Sequence, residues 1–476
     1  MGNAGSDTYD AVIIGAGIGG LVCGCYLAKA GMKVLIAEQH HKPGGYCTSF
    51  RRKGFLFDAA AHSFGGYRKG GVVRKIITEL GIDQKLNIDC FQPSDTVRTL
   101  DYTVSFWSDV EHTIAEFERA FPAERDRIRS FFTFLQSGSR EDLIRLRVLT
   151  FLEFLNTFFT DAKLKAVLSL PLFGNGGLPP SRLSAFAGVK IFSEFLLDGG
   201  YYPEGGMQRL SDAFAQTFTE SGGVLRLSAD VQNILVNNCS VGGIRLASGE
   251  EFHAPRVISN CDARQTFHTL LGRPHVPDDF LHTLDGLVPS SSLFVAYLGI
   301  DQSFSALPLP GANIWFMPHY DLERAFEVSR QGTIDHNKEF MIRLSPDAKT
   351  LLAFVNVQYI GKSYWSAQKE DRLQALLSLV ETRLIPGLSK HVMVREGASP
   401  HTLYRYTRNT NGAAYGWAST PSQFLMPHFR MPSFLKGLFL VGHWTTLAQG
   451  IPGVMYSGLE TATKITKRRA RTLSCH

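Results

Sequence analysis

The chain opens with two short apolar runs on either side of a glycine turn and a longer apolar segment. Residues 10–15 contain the run Ala-Val-Ile-Ile and residues 33–37 contain a second run, and both predict buried parallel strands. Between them, residues 19–30 have the length and composition of a helix that ends before Gly31. Strand, helix and strand therefore predict a βαβ unit at the start of the chain.

Periodic segments continue along the rest of the chain. Apolar residues at helical spacing predict helices at 111–159, 183–197, 207–221, 370–384 and after Gly453. Shorter apolar runs predict strands at 224–227, 231–236, 241–246, 256–259 and 438–441. Residues 171–180 are rich in Gly and Pro and predict a loop. The aromatic helices before residue 200 form either an ordinary core, or the wall of a long apolar cavity or a membrane-dipping surface.

Composition places the chain among globular proteins with an aromatic core. Hydrophobic residues make up 44% of the chain, charged residues 19%, and there are 34 Phe, which excludes a disordered or fibrous protein. The net charge of +6 is too small to indicate nucleic acid binding. Much of the excess lies near the C-terminus, in Lys464, Lys467, Arg468, Arg469 and Arg471. This cluster predicts either peripheral contact with anionic lipid or a solvated basic tail.

The cysteines indicate a reducing compartment. There are seven, an odd number, without a C-x-x-C pair, and Cys23 and Cys25 fall inside the first predicted helix. The chain shows no secretory signal before its first strand. We therefore expect a cytoplasmic protein, either free or associated with a membrane surface.

A dinucleotide-binding motif follows the first predicted strand. The pattern G-x-G-x-x-G comprises Gly15, Ala16, Gly17, Ile18, Gly19 and Gly20. Such glycines allow a tight turn and a close approach to a pyrophosphate, and the N-terminus of the following helix attracts the anion. Glu38 ends the second strand, where its carboxylate accepts hydrogen bonds from ribose hydroxyls and repels a 2′-phosphate.

Three features favour FAD over NAD as the dinucleotide. A second glycine turn, Pro43-Gly44-Gly45, follows directly after the βαβ unit, where a longer cofactor continues past the pyrophosphate. Near the C-terminus, an apolar strand ends at Gly442 and leads through residues 450–453 into a final helix, whose N-terminus can stabilise negative charge on a flavin. No second G-x-G-x-x-G follows a strand, so the chain lacks a separate nicotinamide domain.

These residues carry a family resemblance. Residues 9–62, 199–272 and 404–464 resemble the flavoprotein family of phytoene desaturases, carotenoid isomerases and retinol saturases, within the amine-oxidase-like FAD superfamily. The more specific matches are the segment Gly-Tyr-Tyr-Pro-Glu-Gly-Gly-Met at 200–207 and Asn-Gly-Ala-Ala-Tyr-Gly-Trp at 411–417.

The resemblance implies an α/β fold with a Rossmann-like FAD-binding domain built from discontinuous segments and an interleaved α+β substrate-binding domain. It assigns residues 1–90, 199–272 and 405–476 to the FAD-binding domain, and residues 91–198 and 273–404 to the substrate-binding domain. Beyond the first motif, the residues it implies around FAD are Gly44, Gly45, Arg52, Val231, Gly442, His443, Ile451, Pro452 and Gly453.

The chain departs from the family pattern at two places. His443 stands where many relatives have Asp, which replaces a hydrogen-bond acceptor near the cofactor by a donor. Residues 58–61 read Asp-Ala-Ala-Ala where many relatives have Asp-Ala-Gly-Pro. With His62 following, this segment is closer to the saturases than to the desaturases.

Hydride transfer to a flavin requires little from side chains beyond placing the carbon and excluding water, but a second proton must be taken or supplied. The candidate groups are His62, Tyr202, Glu204, Tyr415 and His443, each of which is otherwise a structural residue. Arg408 holds a substrate carboxylate or the flavin, or lies in solvent. The pair His40-His41 lacks further ligands at suitable spacing, so we predict no metal site.

The resemblance implies an FAD-dependent oxidoreductase that acts on carbon–carbon double bonds of an apolar polyene or isoprenoid, as a desaturase, isomerase or saturase. Its redox partner is oxygen, a quinone or NAD(P). The alternative is an FAD-dependent amine oxidase, in which Trp417 and Trp444 line the flavin ring as aromatic walls. A third interpretation is a flavin-binding scaffold at a membrane without enzymatic turnover.

Overall fold

The computed structural model describes residues 8–301, 308–424, 432–445 and 450–473, and of Arg140 and residues 468–473 it describes the backbone alone. The strands in these ranges, β1 to β19 in chain order, are Ala11–Ile14, Val34–Ala37, Ser49–Arg52, Phe55–Asp58, Ile88–Phe91, Asp95–Arg98, Thr103–Phe106, Gly200–Pro203, Val224–Arg226, Val231–Asn237, Ser240–Leu246, Glu251–His253, Val257–Ser259, Ser292–Ile300, Asn313–Phe316, Phe340–Leu344, Thr350–Val357, Val392–Ala398 and Leu438–Leu440.

The helices in the same ranges, α1 to α15, are Ile18–Lys29, Val72–Glu79, Val110–Ala120, Arg125–Ser137, Arg140–Arg145, Phe151–Asn156, Ala162–Gly176, Ala185–Ile191, Met207–Glu220, Asp278–Gly286, Leu322–Ser329, Lys362–Arg383, Pro400–Thr407, Pro421–Phe424 and Gly450–Leu473. Two π-helical segments, Phe192–Leu196 and Gln265–Gly272, follow α8 and precede α10. The six cysteines among the described residues are all unbonded.

A five-stranded parallel sheet brings distant parts of the chain together. Its strand order is β19-β13-β1-β2-β9, and every neighbouring pair is parallel. β1 and β2 are buried along their whole length, as their continuous apolar runs predict. Helices α1, α9 and α15 pack beside this sheet. At the α1–α15 crossing, a Cβ on Gly458 would lie 2.5 Å from the carbonyl oxygen of Gly19, so the two helices meet backbone to backbone.

A seven-stranded mixed sheet, ordered β18-β14-β17-β16-β15-β6-β7, forms the other large layer. The helices α3 to α8 cover one of its faces and α12 covers the other. The other strands form a three-stranded antiparallel sheet, β10-β11-β12, and the small pairs β3–β4 and β5–β8. The α/β fold expected from the sequence is confirmed by this arrangement, while the domain boundaries at 90, 198, 272 and 404 stay a prediction.

The loop predicted at 171–180 is wrong in its first half. Helix α7 runs from Ala162 to Gly176 and continues through Pro171, and the loop begins only at Gly177. An internal proline costs a helix about 3 kcal/mol. Here the flanking Leu170 and Leu172 are buried in the Phe-rich core, and this tertiary packing outweighs the local penalty.

The aromatic helices are mainly an ordinary core. Phe131 and Phe132 are fully buried against each other, and Phe151 is fully buried against Phe192. Within α8 and the following π-helical segment, however, Phe186 and Phe195 line a cavity. Within the ranges that the structure describes, no helix is both long and apolar enough to cross a membrane.

Candidate functional site

A cavity of about 800 Å³ lies at the carboxyl edge of the parallel sheet. The ends of β1, β2 and β13 reach it through Gly15, Glu38 and Asn260. In open α/β sheets this edge is where ligands bind, because the loops and helix N-termini that follow the strands converge there. The cavity then extends between α8 and the mixed sheet.

Most of the residues predicted to hold the cofactor line this cavity. They are Gly15, Gly17, Ile18, Gly19, Glu38, Gly44, Gly45, Val231, Gly442, His443, Ile451, Pro452 and Gly453. They come from five separated parts of the chain, which the parallel sheet and its flanking helices bring to one place.

Three of the predicted cofactor residues do not line the cavity. The Ala16 N–H donates to the Glu38 carboxylate at 2.7 Å, so it positions that side chain rather than the ligand. A Cβ on Gly20 would lie 2.3 Å from the Gly15 carbonyl oxygen, so this glycine serves helix–strand packing. Arg52 is half exposed, lies outside the cavity lining and pairs with Glu396 at 3.4 Å, so its contact with the cofactor stays a prediction.

The cavity fits a dinucleotide with a pyrophosphate. Gly17 is the N-cap of α1 without a side-chain hydrogen bond to the free N–H groups, and the first turn carries no acidic residue. The first turn of α15 also lacks acidic residues, and its residues 450–453 line the same cavity. The N-termini of α1 and α15 therefore offer N–H donors and positive potential to one anionic ligand.

The Glu38 carboxylate is positioned to accept hydrogen bonds from a ribose. Its carboxylate accepts hydrogen bonds from the backbone N–H groups of Ala16 and His40, at 2.7 and 2.9 Å, and is 7% exposed. Each carboxylate oxygen keeps a lone pair for a further donor. The side chain is thus fixed at the cavity edge and still able to accept hydrogen bonds from sugar hydroxyls.

Asn260, which sequence reasoning missed, lies at the centre of the glycine turns. A Cβ on Gly17 would lie 2.8 Å from its Nδ2 atom, and a Cβ on Gly19 or Gly442 would lie 2.9 or 2.7 Å from its Oδ1 atom. The carboxamide therefore fills the space that three glycines leave open and holds both turns in one arrangement. The position of Asn260 directly after a buried strand was the signal that could have found it.

A segment after α13 covers the end of the cavity near Glu38. Arg408 donates two hydrogen bonds to Asp230, both at 2.8 Å, and Tyr406 accepts one from the His40 ring at 2.5 Å through its carbonyl oxygen. The Arg408 guanidinium is therefore held at the cavity edge by a bidentate ion pair, while its side chain stays 39% exposed. His40, which the sequence suggested as half of a metal pair, is part of this closure.

In the structurally described ranges, no three His, Cys, Asp or Glu side chains are grouped as metal ligands are.

The other half of the cavity is apolar. Its wall is formed by Phe186, Ile191, Phe195, Leu293, Phe354 and Phe424. Three cationic side chains that line the cavity are also exposed by 42 to 60% and mark where it opens to solvent: Arg68, Lys75 and Lys190. Arg68 is paired there with Glu194 and Asp198. The cavity thus joins a polar dinucleotide half to an apolar half with a charged rim.

His62 lines the cavity and has a free proton-accepting atom. Its Nδ1 donates to the Ala60 carbonyl oxygen at 3.1 Å, which leaves Nε2 without a proton, and Nε2 is buried without a hydrogen-bond partner among the described residues. Burial, assisted by the charge of Arg343, lowers the pKa of His62 to about 3. The imidazole is therefore neutral at physiological pH.

Two more of the catalytic candidates line the cavity. The Tyr415 hydroxyl donates to the Gly174 carbonyl oxygen at 3.1 Å, and burial raises its pKa, so it keeps its proton. Burial lowers the pKa of His443 to about 4, and its ring lies 6.1 Å from that of Tyr46. His62, Tyr415 and His443 are thus brought together, as neutral groups, around the predicted cofactor position.

Tyr202 and Glu204, two further catalytic candidates, do not line the cavity, and their catalytic role stays a prediction. The Tyr202 hydroxyl donates to Asp58 at 2.6 Å, and burial together with Asp58 raises its pKa. Glu204, which directly follows β8, is exposed and accepts from Asn87.

Trp417 and Trp444 also lie outside the main cavity. Their rings meet edge to face at 4.7 Å, and the Trp417 indole donates to the Trp444 carbonyl oxygen at 3.0 Å. The Trp444 indole donates to Asn409 at 3.0 Å. The two tryptophans therefore support the segment after α13 from behind instead of forming aromatic walls of the ligand site.

The lowered pKa of His443 predicts a specific pH dependence of stability. Below pH 6.5 the unfolded state takes up a proton at this residue, whereas the folded state does so only near pH 4, so stability falls as the pH falls. Between these values the wild type should lose about 1.4 kcal/mol per pH unit more than a His443→Gln variant. Denaturant unfolding at saturating FAD measures this difference, and parallel curves would contradict it.

A family model described as flavin containing amine oxidoreductase matches residues 18–466. The chain belongs to this family. A flavin is accordingly its cofactor, and the dinucleotide half of the cavity is the place for the FAD that the sequence predicted. The Gly15, Gly17 and Gly19 turn, the α15 N-terminus and Glu38 would hold its pyrophosphate and ribose.

Curated relatives align over nearly the whole chain. A phytoene desaturase (lycopene-forming) of Pseudescherichia vulneris is 26% identical, over 95% of this chain and 98% of the relative. A chloroplastic prolycopene isomerase of Daucus carota is 25% identical, over 98% and 81%. An all-trans-retinol 13,14-reductase of Danio rerio is 25% identical, over 97% and 86%. These relatives confirm the family resemblance of the sequence.

Solved structures share the fold. An oxidoreductase from Methanosarcina mazei superimposes with a TM-score of 0.70 at 18% identity, covering 95% of this chain and 99% of its own. At this identity the likeness shows the fold alone. Together with the family match it establishes a flavin-dependent oxidoreductase of α/β architecture.

Proposed function

We propose that this flavoprotein acts on carbon–carbon bonds of an apolar polyene or isoprenoid, as the desaturases, isomerases and saturases it resembles do. The observation that carries the proposal is the continuity of the cavity from the glycine turns into a half walled by Phe186, Ile191, Phe195 and Leu293. An extended apolar chain gains about 25 cal/mol for each Å² of its surface buried against such a wall.

The residues of the apolar half would hold the substrate and exclude water. Bound FAD supplies an acceptor for a hydride, that is, for two electrons and one proton of a C–H bond. Loss of a second proton from the neighbouring carbon then leaves a double bond. Fixed placement of the reacting carbon by the aromatic wall supplies the orientation on which such a transfer depends.

The proton-handling groups favour the oxidative direction. His62 has a lone pair at Nε2 and no proton there, so it accepts a proton and has none to give at that atom. The Tyr415 proton is engaged by the Gly174 carbonyl oxygen. We therefore propose His62 as the group that takes the second proton, with hydride transfer to the cofactor.

An anaerobic experiment tests the proposed function. The holoprotein is mixed with polyenes and, separately, with amines, and the flavin spectrum and product masses are recorded. We expect a polyene to bleach the flavin and to lose two daltons, and we expect His62→Gln to slow this reduction about 100-fold or more. A two-dalton gain with pre-reduced flavin would overturn the direction, and release of an aldehyde from an amine would overturn the substrate class.

The second candidate is an FAD-dependent amine oxidase. It is favoured by Tyr46 and Tyr415, two aromatic residues of the cavity lining that can flank a neutral amine. Against it, Trp417 and Trp444 do not line the cavity, and the rim carboxylate Glu194 is already paired with Arg68. The amine arm of the anaerobic experiment decides between the two.

Peripheral contact with anionic lipid stays part of the proposal. Lys75 and Lys190 lie at the opening of the cavity, where they face the surface from which an apolar substrate would enter. Lys464 of the predicted basic cluster pairs with Glu460 at 2.9 Å. The side chains of Arg468, Arg469 and Arg471 lie outside the described residues.

The redox partner of the flavin is likewise a proposal: oxygen, a quinone or NAD(P).

A further inference from the structure

The apolar half of the cavity contains a carboxamide that has no partner. Asn175 lies near the C-terminal end of α7 and lines the cavity. Its Nδ2 atom is shielded from solvent and makes no hydrogen bond to any of the described residues. Buried polar groups in folded proteins are nearly always paired, with protein, with water or with a ligand. Asn175 therefore requires an explanation that the wall of a purely apolar site does not provide.

The backbone around Asn175 is fixed, so its side chain is not a mobile group without a role. The carbonyl oxygens of Phe173, Gly174 and Gly177 each accept a side-chain hydrogen bond, from Asn356, Tyr415 and Ser291 at 3.0, 3.1 and 2.8 Å. Gly174 also lies directly against a tryptophan, because a Cβ there would be 1.8 Å from the Trp315 ring. These contacts fix the end of α7, where Asn175 lines the cavity.

A second unpartnered atom belongs to the same region. The Phe354 ring packs 5.7 Å from the Trp315 ring and 5.7 Å from the ring of His62. Asn175 and His62 both line the cavity near this aromatic pair: Asn175 directly follows Gly174, which lies against Trp315, and the His62 ring lies beside Phe354. The Asn175 Nδ2 atom is a hydrogen-bond donor, whereas Nε2 of His62 is an acceptor. With the Ser63 hydroxyl, which is also buried without a partner among the described residues, they give the cavity a small set of free polar atoms for a ligand.

We infer that the substrate is an apolar chain with an oxygen function, a hydroxyl or a carbonyl, whose oxygen accepts a hydrogen bond from Asn175. The inference rests on the proposed function and narrows its substrate class. A pure hydrocarbon would displace any water from the amide and leave it unpaired. Leaving such a group unpaired weakens binding by roughly 5- to 150-fold.

Three ligands with one skeleton test this inference: all-trans-retinol, its methyl ether and axerophthene, the same polyene without the hydroxyl. Binding to the holoprotein is measured anaerobically with the flavin reduced beforehand, through the absorbance and fluorescence of the polyene itself, so that the proposed hydride transfer to the flavin cannot take place. We expect retinol and the ether to bind about tenfold or more tightly than the hydrocarbon, because both oxygens accept a hydrogen bond. Asn175→Leu should weaken the binding of the two oxygenated ligands and leave that of the hydrocarbon unchanged or tighter.

The control variant is Asn233→Leu, the same substitution at an exposed position of β10, which should keep the wild-type order of affinities. Asn175→Ala serves beside Asn175→Leu, and FAD content and thermal unfolding verify that each variant is folded. Equal affinity of the wild type for all three ligands would overturn the inference, since the amide would then be satisfied by water. Failure of all three to bind would overturn the polyene site itself, and the inference with it.

Discussion

Replacing Gly17 with valine is expected to abolish FAD retention while the protein stays folded. The backbone at Gly17 has φ −66° and ψ 164°, which valine adopts without strain. The new side chain meets Asn260, whose Nδ2 atom would lie 2.8 Å from Cβ, and it projects into the cavity between the two glycine turns. Overpacking and lost contact with the pyrophosphate together should weaken FAD binding by about 100-fold or more.

The flavin absorbance and stoichiometry of the purified protein measure this effect. Gly286→Val is the matched control, because Gly286 ends α10 on the surface and a Cβ there has no atom within 4 Å. This control should carry the same amount of FAD as the wild type. A yellow Gly17→Val protein with a full complement of cofactor would contradict the placement of the pyrophosphate at this turn.

Asp58→Ala is expected to destabilise the protein by about 3–5 kcal/mol. The Asp58 carboxylate accepts hydrogen bonds from the Ser49 hydroxyl, the Tyr202 hydroxyl and the Met207 N–H, at 2.7, 2.6 and 2.9 Å. Met207 is the first residue of α9, so this side chain caps that helix from the β3–β4 hairpin. Alanine leaves three buried donors unpaired and removes a negative charge near the buried Arg343.

Denaturant unfolding at constant FAD concentration measures the loss. Asp58→Asn should lose less, because an amide oxygen still accepts from Met207, and Asp89→Ala, at an exposed position of β5, should be nearly neutral. Tyr202→Phe removes one donor and should lose about 1–2 kcal/mol with unchanged turnover. A large fall in turnover of a stable Tyr202→Phe protein would restore Tyr202 as a catalytic residue.

The sequence predicted which residues meet in the dinucleotide half of the cavity, because the requirements of that half are local. The turn at Gly15–Gly20 and the acidic residue at position 38 lie on one βαβ unit, whose spacing encodes the position of each residue. It did not reveal that Tyr202 and Arg52, which are suitable in type and close to family motifs, lie outside the cavity lining. The Tyr202 side chain is held by Asp58 and the Arg52 side chain by Glu396, and no local sequence pattern reveals these partners.

The same distinction holds for the fold. Apolar periodicity predicts the buried strands and most of the helices. Helix α7, however, continues through Pro171 because the core packs around it, and local residue propensities do not predict such packing. Asn260 and Arg408 acquire roles only when the strand ends and the segment after α13 come together around the glycine turns.

By itself, the sequence determined that this chain is a flavoprotein with an α/β cofactor half, because glycine turns, strand ends and helix starts are specified by neighbouring residues. Only the tertiary structure decided which polar groups reach the apolar half of the cavity. His62 and Asn175 are separated by more than a hundred residues, and they line one cavity because the mixed sheet packs against α7.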